Sequence, residues 1–219
     1  ISLGLVGSEM CIRDSYTVNF SSLSHIQDVP EYFKFYEKNK NAEKKDKLIV
    51  AQAPIYNEDG SYAIVEIRSQ DNKDRWLVNL NLATGSFKEI EHQHDEAWIG
   101  GPGIPSYAFS SGTLGFLSDN ETIYFQSEKT GYSHLYTYNL RTSKKVQLTQ
   151  GNWEVRGVVL SKDKKTFYLT TNQTHPGNRG FYKMNLSDAV LQPILTKDGA
   201  HEVSPVSYTH LTLPTNREV

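Results

Sequence analysis

The sequence predicts an all-β chain, a partial β-propeller of about three four-stranded blades that is incomplete and open. Three observations support this fold class. A hairpin pattern occurs three times, its copies are spaced about one blade apart, and polar turns rather than a 3.6-residue helical period separate the apolar runs.

Each copy of the hairpin pattern consists of an alternating strand, a short polar turn and a second strand. Side chains alternate at period two in the first strand of each copy, which is typical of a half-buried β-strand. The first strands span residues 76–82, 136–140 and 182–186, the turns span 83–85, 141–143 and 187–188, and the second strands contain Phe87 and Ile90, Val146 and Leu148, and Leu191 and Ile194.

The spacing of the copies indicates one propeller blade per repeat. Leu82, Leu140 and Leu186 end the first strands and lie 58 and 46 residues apart, as expected for a blade with variable loops. Glutamates recur in step, at Glu96, Glu154 and Glu202, where each would open the inner strand of the next blade.

Further strand candidates fill the space between these hairpins. They span residues 62–68, 115–117, 122–127, 157–160 and 166–171, and polar turns such as residues 57–60 and 118–121 separate them. We therefore expect propeller blades over residues 61–205, preceded by part of a blade in residues 16–60. Within that part, residues 31–47 are rich in Lys and Glu and predict a short helix or a loop.

Both ends of the chain read as translated adapter DNA rather than protein. Residues 10–14 (MCIRD) and 206–210 (VSYTH) can be encoded by reverse-complementary strings, and both strings match the mosaic end of a transposon-based sequencing adapter. We expect residues 1–15 and 206–219 to be adapter-derived, and we exclude them from the fold.

Composition excludes several functional classes. The 23 Lys and Arg residues against 25 Asp and Glu residues give a net charge of −2, which argues against nucleic acid as a partner. No apolar run approaches the roughly 20 residues of a membrane span. A single Cys excludes a disulfide framework.

Glu96, Glu154 and Glu202 are the candidate residues facing a substrate. Inner strands of a propeller border its central channel, and several carboxylates there would attract a cationic group such as the α-amine of a peptide. The alternative is that each carboxylate pairs with a basic neighbour, such as Arg156 beside Glu154.

The segment from His92 to Trp98 is a candidate binding loop. His92 and His94 would share one strand face next to acidic residues, which suggests a metal site, but zinc needs three or four converging ligands and no second cluster supplies them. We interpret His94, Asp95 and Trp98 as a polar loop at the blade entrance, and we expect no metal and no cofactor.

Five segments resemble the N-terminal propeller of the prolyl oligopeptidase family, most closely its dipeptidyl peptidase IV-like branch and the bacterial members of that branch. They are residues 74–78 (DRWLV), 94–98 (HDEAW), 130–136 (TGYSHLY), 153–155 (WEV) and 177–183 (GNRGFYK), and the similarity spans roughly residues 45–205.

The resemblance implies that the chain is a truncated, non-catalytic propeller from a serine peptidase that cleaves short peptides. Its partners would be a peptide substrate and a C-terminal α/β-hydrolase domain of the same parent chain, which would carry the Ser-Asp-His triad. Bacterial relatives imply a periplasmic or secreted location. The double-glutamate segment of the dipeptidyl peptidase branch is not recognisable, which leaves exopeptidase and endopeptidase action open.

Two other functions remain open from the residues alone. One is a non-catalytic propeller that binds a protein or peptide, because the fold does not fix the function. The other is an enzyme such as a sugar hydrolase, whose site would lie in the propeller channel and would need paired carboxylates at a defined separation.

Overall fold

A computed structural model describes residues 2–4, 15–31, 45–105, 112–201, 203–205 and 211–212. Among these residues, the structure contains seventeen β-strands. The strands are β1 (Ser2–Gly4), β2 (Ser15–Thr17), β3 (Ile49–Ala51), β4 (Ile55–Tyr56), β5 (Ala63–Ser69), β6 (Asp74–Leu80), β7 (Phe87–His94), β8 (Leu114–Phe116), β9 (Thr122–Ser127), β10 (His134–Asn139), β11 (Lys144–Gln147), β12 (Val155–Leu160), β13 (Thr166–Thr171), β14 (Gly180–Asn185), β15 (Leu191–Leu195), β16 (Ser204–Pro205) and β17 (Leu211–Thr212).

The chain divides into two compact units: among the described residues, the first contains those up to Ile99 and the second those from Gly100 onward. The main sheet of the first unit has the strand order β3-β5-β6-β7, and β4 pairs with β5 beside β3. Strands β5 and β6 are buried along almost their whole length. One face carries apolar side chains that join a core cluster, and the other contains the buried Arg75–Glu66 ion pair. In the β6–β7 register, Asp74 lies opposite His94 and Trp76 lies opposite His92.

An N-terminal segment packs on one face of this sheet. We call residues 17–31 and 45–48 the strap. Val18, Phe20, Leu23 and Ile26 of the strap join the core cluster that contains Trp76. The Trp76 Nε1–H donates to the Ser24 carbonyl at 2.9 Å, and the Lys47 amide donates to the Ile26 carbonyl at 2.8 Å.

The second unit contains two four-stranded antiparallel sheets, with orders β11-β10-β9-β8 and β12-β13-β14-β15. Its core draws on both sheets: Leu135 comes from the first, and Val155, Phe167, Leu169 and Met184 come from the second. None of the sheets in the described part of the chain closes on itself. The prediction of an all-β, partial and open β-propeller is therefore confirmed.

The same turn closes all three repeated hairpins. Asn81, Asn139 and Asn185 each accept a backbone hydrogen bond at 2.8–2.9 Å from the residue four positions later. That later residue is Gly85, Ser143 or Ala189, and each has a positive φ, between 52° and 71°. Because Asn side chains bond readily to nearby backbone amides, they favour such turns, as Asn81 does by accepting from the Ala83 amide at 3.0 Å.

Several predicted regions lie partly outside the described residues. These include residues 32–44 of the predicted charged helix or loop, and most of the two segments predicted to be adapter-derived. β1 lies in the first of these end segments and pairs with β2, and β17 lies in the second and pairs with β16, each over two or three residues. The strands β3 and β4, from the region predicted as part of a blade, both pair with β5.

Candidate functional site

The candidate loop is a tight turn that follows β7. The Asp95 carboxylate accepts hydrogen bonds from the Ala97 amide at 2.7 Å and the Trp98 amide at 2.9 Å. Bonds from the backbone of Trp98 and Ala97 hold the pKa of Asp95 below its usual value. Asp95 therefore acts on its own turn, which makes its role in the loop conformational.

Two buried cationic side chains fix the backbone of this turn. The Lys73 ammonium donates to the carbonyls of Glu96 and Ala97, and the Arg68 guanidinium donates to the Ile99 carbonyl at 2.6 Å. The Ile99 amide in turn donates to the Asn72 carbonyl at 2.8 Å. The turn is thus held at both ends by the β5–β6 hairpin.

The fixed turn presents Trp98 to solvent. The Trp98 side chain is 57% exposed, whereas the next residue, Ile99, is buried. A large aromatic ring on a rigid backbone loses little conformational entropy when it is covered, so it is suited to binding an aliphatic or cationic group.

Glu96 adds a second exposed carboxylate to the turn, next to Asp95. One of its carboxylate oxygens lies 3.3 Å from His94 Nε2, and the other accepts from the Glu31 amide at 3.2 Å. The bonds from the Glu31 backbone and from His94 lower the pKa of Glu96. Glu96 is therefore an anion at neutral pH.

A buried carboxylate, Asp74, anchors the two histidines of β7. Its Oδ1 atom lies 2.9 Å from His92 Nε2 and 2.8 Å from His94 Nδ1, and its Oδ2 atom pairs with Lys47. Burial alone would raise the pKa of Asp74, but hydrogen bonds from His92, Lys47 and His94 outweigh it and lower the pKa to about 2.

His94 is held between two carboxylates. Partial burial favours its neutral form, but the hydrogen bonds to Asp74 and Glu96 outweigh burial and raise the pKa of His94. His92 lies between two other rings, with centroid distances of 5.3 Å to Trp76 and 4.8 Å to His25.

The metal interpretation of His92 and His94 finds no ligand set. Across the described ranges, no group of three or more His, Cys, Asp or Glu side chains is arranged to hold a metal ion. The two imidazoles share one carboxylate oxygen through hydrogen bonds instead.

The three repeated glutamates occupy different settings. Glu96 lies in the turn of the first unit. Glu154 precedes β12 in the second unit, is half-buried, and has its carboxylate 3.5 Å from the Arg156 guanidinium. Glu202 lies outside the described residues. The structure therefore groups Glu96 with His94, Asp95 and Trp98 in one turn, and orientation toward a channel stays a prediction.

Sequence reasoning missed the residues that build the site from below: Lys47, Arg68, Lys73 and Asp74. Arg68, Lys73 and Asp74 stand at adjoining ends of β5 and β6, where a cluster of charges borders apolar runs. Charged side chains are seldom buried without a specific partner, so such a cluster is the signal that could have marked them. Lys47 offers no such signal, because it lies in a charge-rich segment.

The buried histidine His134 belongs to the core of the second unit. Its Nε2–H donates to the Gly151 carbonyl at 3.0 Å, and its Nδ1 accepts from the Thr149 hydroxyl at 3.1 Å. Trp153 packs edge-on at 5.1 Å between ring centroids. Burial lowers the pKa of His134, and the bond to Gly151 offsets this only in part. This arrangement is structural and links two of the segments that carry the family resemblance.

No described segment forms a helix with the length and apolar character that a membrane crossing requires.

Comparison with known proteins extends over most of the chain. The family model for the dipeptidyl peptidase IV (DPP IV) N-terminal region matches residues 34–212. Dipeptidyl peptidase 4 of the fungus Arthroderma otae is 28% identical over 130 residues, which are 58% of this chain and 16% of that protein. Dipeptidyl peptidase 4 of Trichophyton equinum is 26% identical over 143 residues, 64% of this chain and 17% of that protein.

The solved structures agree at the level of the fold. The crystal structure of Porphyromonas gingivalis dipeptidyl peptidase 4 superposes with a TM-score of 0.55 and 14% identity, covering 70% of this chain and 21% of that one. The chain thus spans about a sixth of the length of the curated relatives it matches. With its repeated antiparallel sheets and a family match over residues 34–212, this chain belongs to the dipeptidyl peptidase IV N-terminal region family.

Proposed function

We propose that this chain is the non-catalytic propeller part of a longer serine peptidase that cleaves short peptides. The observation that carries the proposal is the family match over residues 34–212, which coincides with the all-β sheets. The parent chain would add a C-terminal α/β-hydrolase domain, whose serine nucleophile, activated by His and assisted by an oxyanion hole, would perform the acyl transfer.

The propeller part would gate access to that domain and orient the substrate. Support comes from the rigid turn after β7, which presents an aromatic ring and a carboxylate together. Trp98 would pack on apolar or cyclic side chains of the peptide, and Glu96 would attract its α-amine. Glu154 and Glu202 are proposed to add negative potential along the channel. A bacterial source and a periplasmic or secreted location are part of the same proposal.

The first test is to sequence the source gene outward from the codons for residues 45–205. We expect the reading frame to continue into a strand, a Gly-x-Ser-x-Gly elbow and a helix, which is the signature of an α/β-hydrolase. A genomic frame that encodes residues 206–219 and then stops would contradict both the truncation and the peptidase proposal.

The second test concerns the turn and uses the complete parent enzyme. We expect Trp98→Ala to raise KM for short peptides by about threefold to tenfold with little change in kcat, because the ring would contribute to binding and not to the chemical step. Val190→Ala removes another exposed apolar side chain and is the matched control. Equal KM values for the two variants would show that Trp98 does not contribute to substrate binding.

A second candidate function is a propeller that binds a protein or peptide without cleaving it. The exposed Trp98 on a fixed backbone favours it, because rigid aromatic anchors are frequent at the centre of protein interfaces. A parent gene with further blades and no nucleophile elbow would decide for this function.

A further inference from the structure

The strap and the main sheet of the first unit meet at one charged cluster, which we call the His94 cluster: Lys47, Asp74, His92, His94 and Glu96. The strap contributes the Lys47 ammonium, which pairs with Asp74, and the Glu31 amide, which donates to Glu96 at 3.2 Å. The strap residue His25 also stacks on His92. The strap is therefore attached to the same two carboxylates that hold His94.

His94 connects these two carboxylates through both ring nitrogens. Nδ1 lies 2.8 Å from Asp74 Oδ1, and Nε2 lies 3.3 Å from Glu96 Oε1. Carboxylate oxygens only accept hydrogen bonds, and a neutral imidazole has a single N–H. Both bonds can therefore exist together only when His94 is an imidazolium ion.

Loss of that proton changes the charge balance where the strap is attached. With His94 charged, a cation bridges the two carboxylates, in addition to Lys47 beside Asp74 and Lys73 near Glu96. With His94 neutral, that bridging charge is gone, and either Asp74 or Glu96 loses a hydrogen bond. Asp74 keeps Lys47 and His92 as partners, so the exposed Glu96 is the carboxylate that loses its imidazole partner, and with it the contact that fixes its position below the Glu31 amide.

Several other charges act on His94: Asp95, the next residue, interacts with it from the turn, and the Lys47 charge opposes its protonation. The His92 ring lies 6.4 Å away on the same strand. Lys73 acts on Glu96 from the β5–β6 hairpin. On the strap, His25 faces His92 and has its own partner, Asp28, at 2.6 Å. None of these groups bridges both carboxylates as His94 does.

We propose that the protonation of His94 fastens the strap to the first sheet and that the strap loosens when His94 loses its proton. The attachment is complete below the ordinary pKa of histidine, about 6.5. Because the two carboxylates raise the pKa of His94 in the folded chain, the added stability is lost as the pH rises through that raised pKa. The device is independent of the peptidase proposal, since it involves only contacts within the first unit.

Hydrogen exchange of the 219-residue chain, followed by mass spectrometry at pH values from about 5.5 to 8.5, tests this proposal. After correction for intrinsic exchange, we expect protection of residues 17–31 to fall by about tenfold across the range. In His94→Gln, whose side chain cannot be charged, we expect this pH-dependent loss of protection to be absent. His175→Gln, at an exposed position of the second unit, is the matched control and keeps it.

Two further variants keep the test decisive if His94→Gln folds poorly. Glu96→Gln removes one of the two carboxylates and should move the midpoint of the loss of protection to lower pH. His25→Gln should leave the midpoint unchanged. The proposal would be overturned if the pH-dependent loss of protection persists in His94→Gln or disappears in His25→Gln. It would also be overturned if the midpoint is unchanged in Glu96→Gln, or if protection of the wild-type chain does not change with pH.

Discussion

His134 is buried between the Thr149 hydroxyl and the Gly151 carbonyl, in a setting that favours the neutral imidazole. Its pKa is lowered in the folded chain, chiefly by burial, whereas in the unfolded chain it returns to about 6.5. The unfolded chain therefore binds more protons as the pH falls below 6.5, and folding is disfavoured there. Protonation of His134 thus lowers stability, whereas protonation of His94 raises it. A pH titration of stability therefore distinguishes the two histidines.

We expect acidification from about pH 7.5 to 5 to lower the thermal midpoint of the second unit more in the wild-type chain than in His134→Gln. The glutamine cannot take up a proton, which removes this part of the acid sensitivity. The measurement is differential scanning calorimetry of both chains at a series of pH values. Parallel pH curves for the two chains would show that His134 carries no such linkage.

Backbone conformation at single glycines gives a second residue-scale prediction. Gly60 has a φ of +73° and open space where a Cβ would lie, whereas Gly157 has no positive φ and would place a Cβ 3.6 Å from Thr170. We expect Gly60→Ala to destabilise the chain by about 1 kcal/mol through its left-handed backbone alone. Gly157→Ala should be neutral or slightly stabilising. Urea denaturation measures both variants, and equal midpoints would contradict the left-handed backbone conformation at Gly60.

At the scale of elements, the hairpins were predictable because their information is local. The alternation over residues 76–82, 136–140 and 182–186 corresponds to β6, β10 and β14, and the strand candidates at 122–127 and 166–171 match β9 and β13. The strap could not be predicted in this way. Its docking depends on pairs such as Ser24 with Glu89 and Lys47 with Asp74, which are distant in sequence and follow no period.

The candidate site was also predictable in part, because some of its residues are neighbours in the sequence. His94, Asp95, Glu96 and Trp98 stand together in the chain and form one turn. Arg68 and Lys73, which fix that turn, come from another hairpin, and nothing in their spacing relates them to it. Charge alone does not reveal which lysine is buried.

The shared core of the second unit gives a prediction at this scale. Phe167 is fully buried on β13, while Val159 on the neighbouring strand β12 is 46% exposed. We expect Phe167→Ala to destabilise the second unit by about 3–5 kcal/mol, because it removes a buried ring and leaves a cavity. Val159→Ala should change stability by less than about 1 kcal/mol. Urea denaturation followed by circular dichroism measures both variants. A small effect for Phe167→Ala would show that the Phe167 ring does not contribute to the core.

For the whole molecule, the described sheets leave their outer strands unpaired. β15 ends its sheet, pairs only with β14 and carries Ile194, which is partly exposed. Unpaired strand edges are templates for association with another chain, and charged side chains on the edge oppose it.

We therefore expect the chain to self-associate as its concentration rises and Ile194→Lys to weaken that association. Analytical ultracentrifugation over a concentration series measures it. His175→Lys adds the same charge at an exposed site away from a strand edge and serves as the control. Association that is unaffected by Ile194→Lys, or reduced equally by both variants, would show that this edge is not the contact.

The turn that closes each repeated hairpin also gives a way to count blades in the source gene. In all three copies the anchor is an Asn-Leu pair, and the left-handed position four residues after the asparagine accepts Gly, Ser or Ala. Because the asparagine and not a glycine is the constant feature, searches for glycine-rich turns would overlook blades. Once the parent gene is sequenced, counting Asn-Leu pairs at blade-length intervals gives a first estimate of how many blades it encodes.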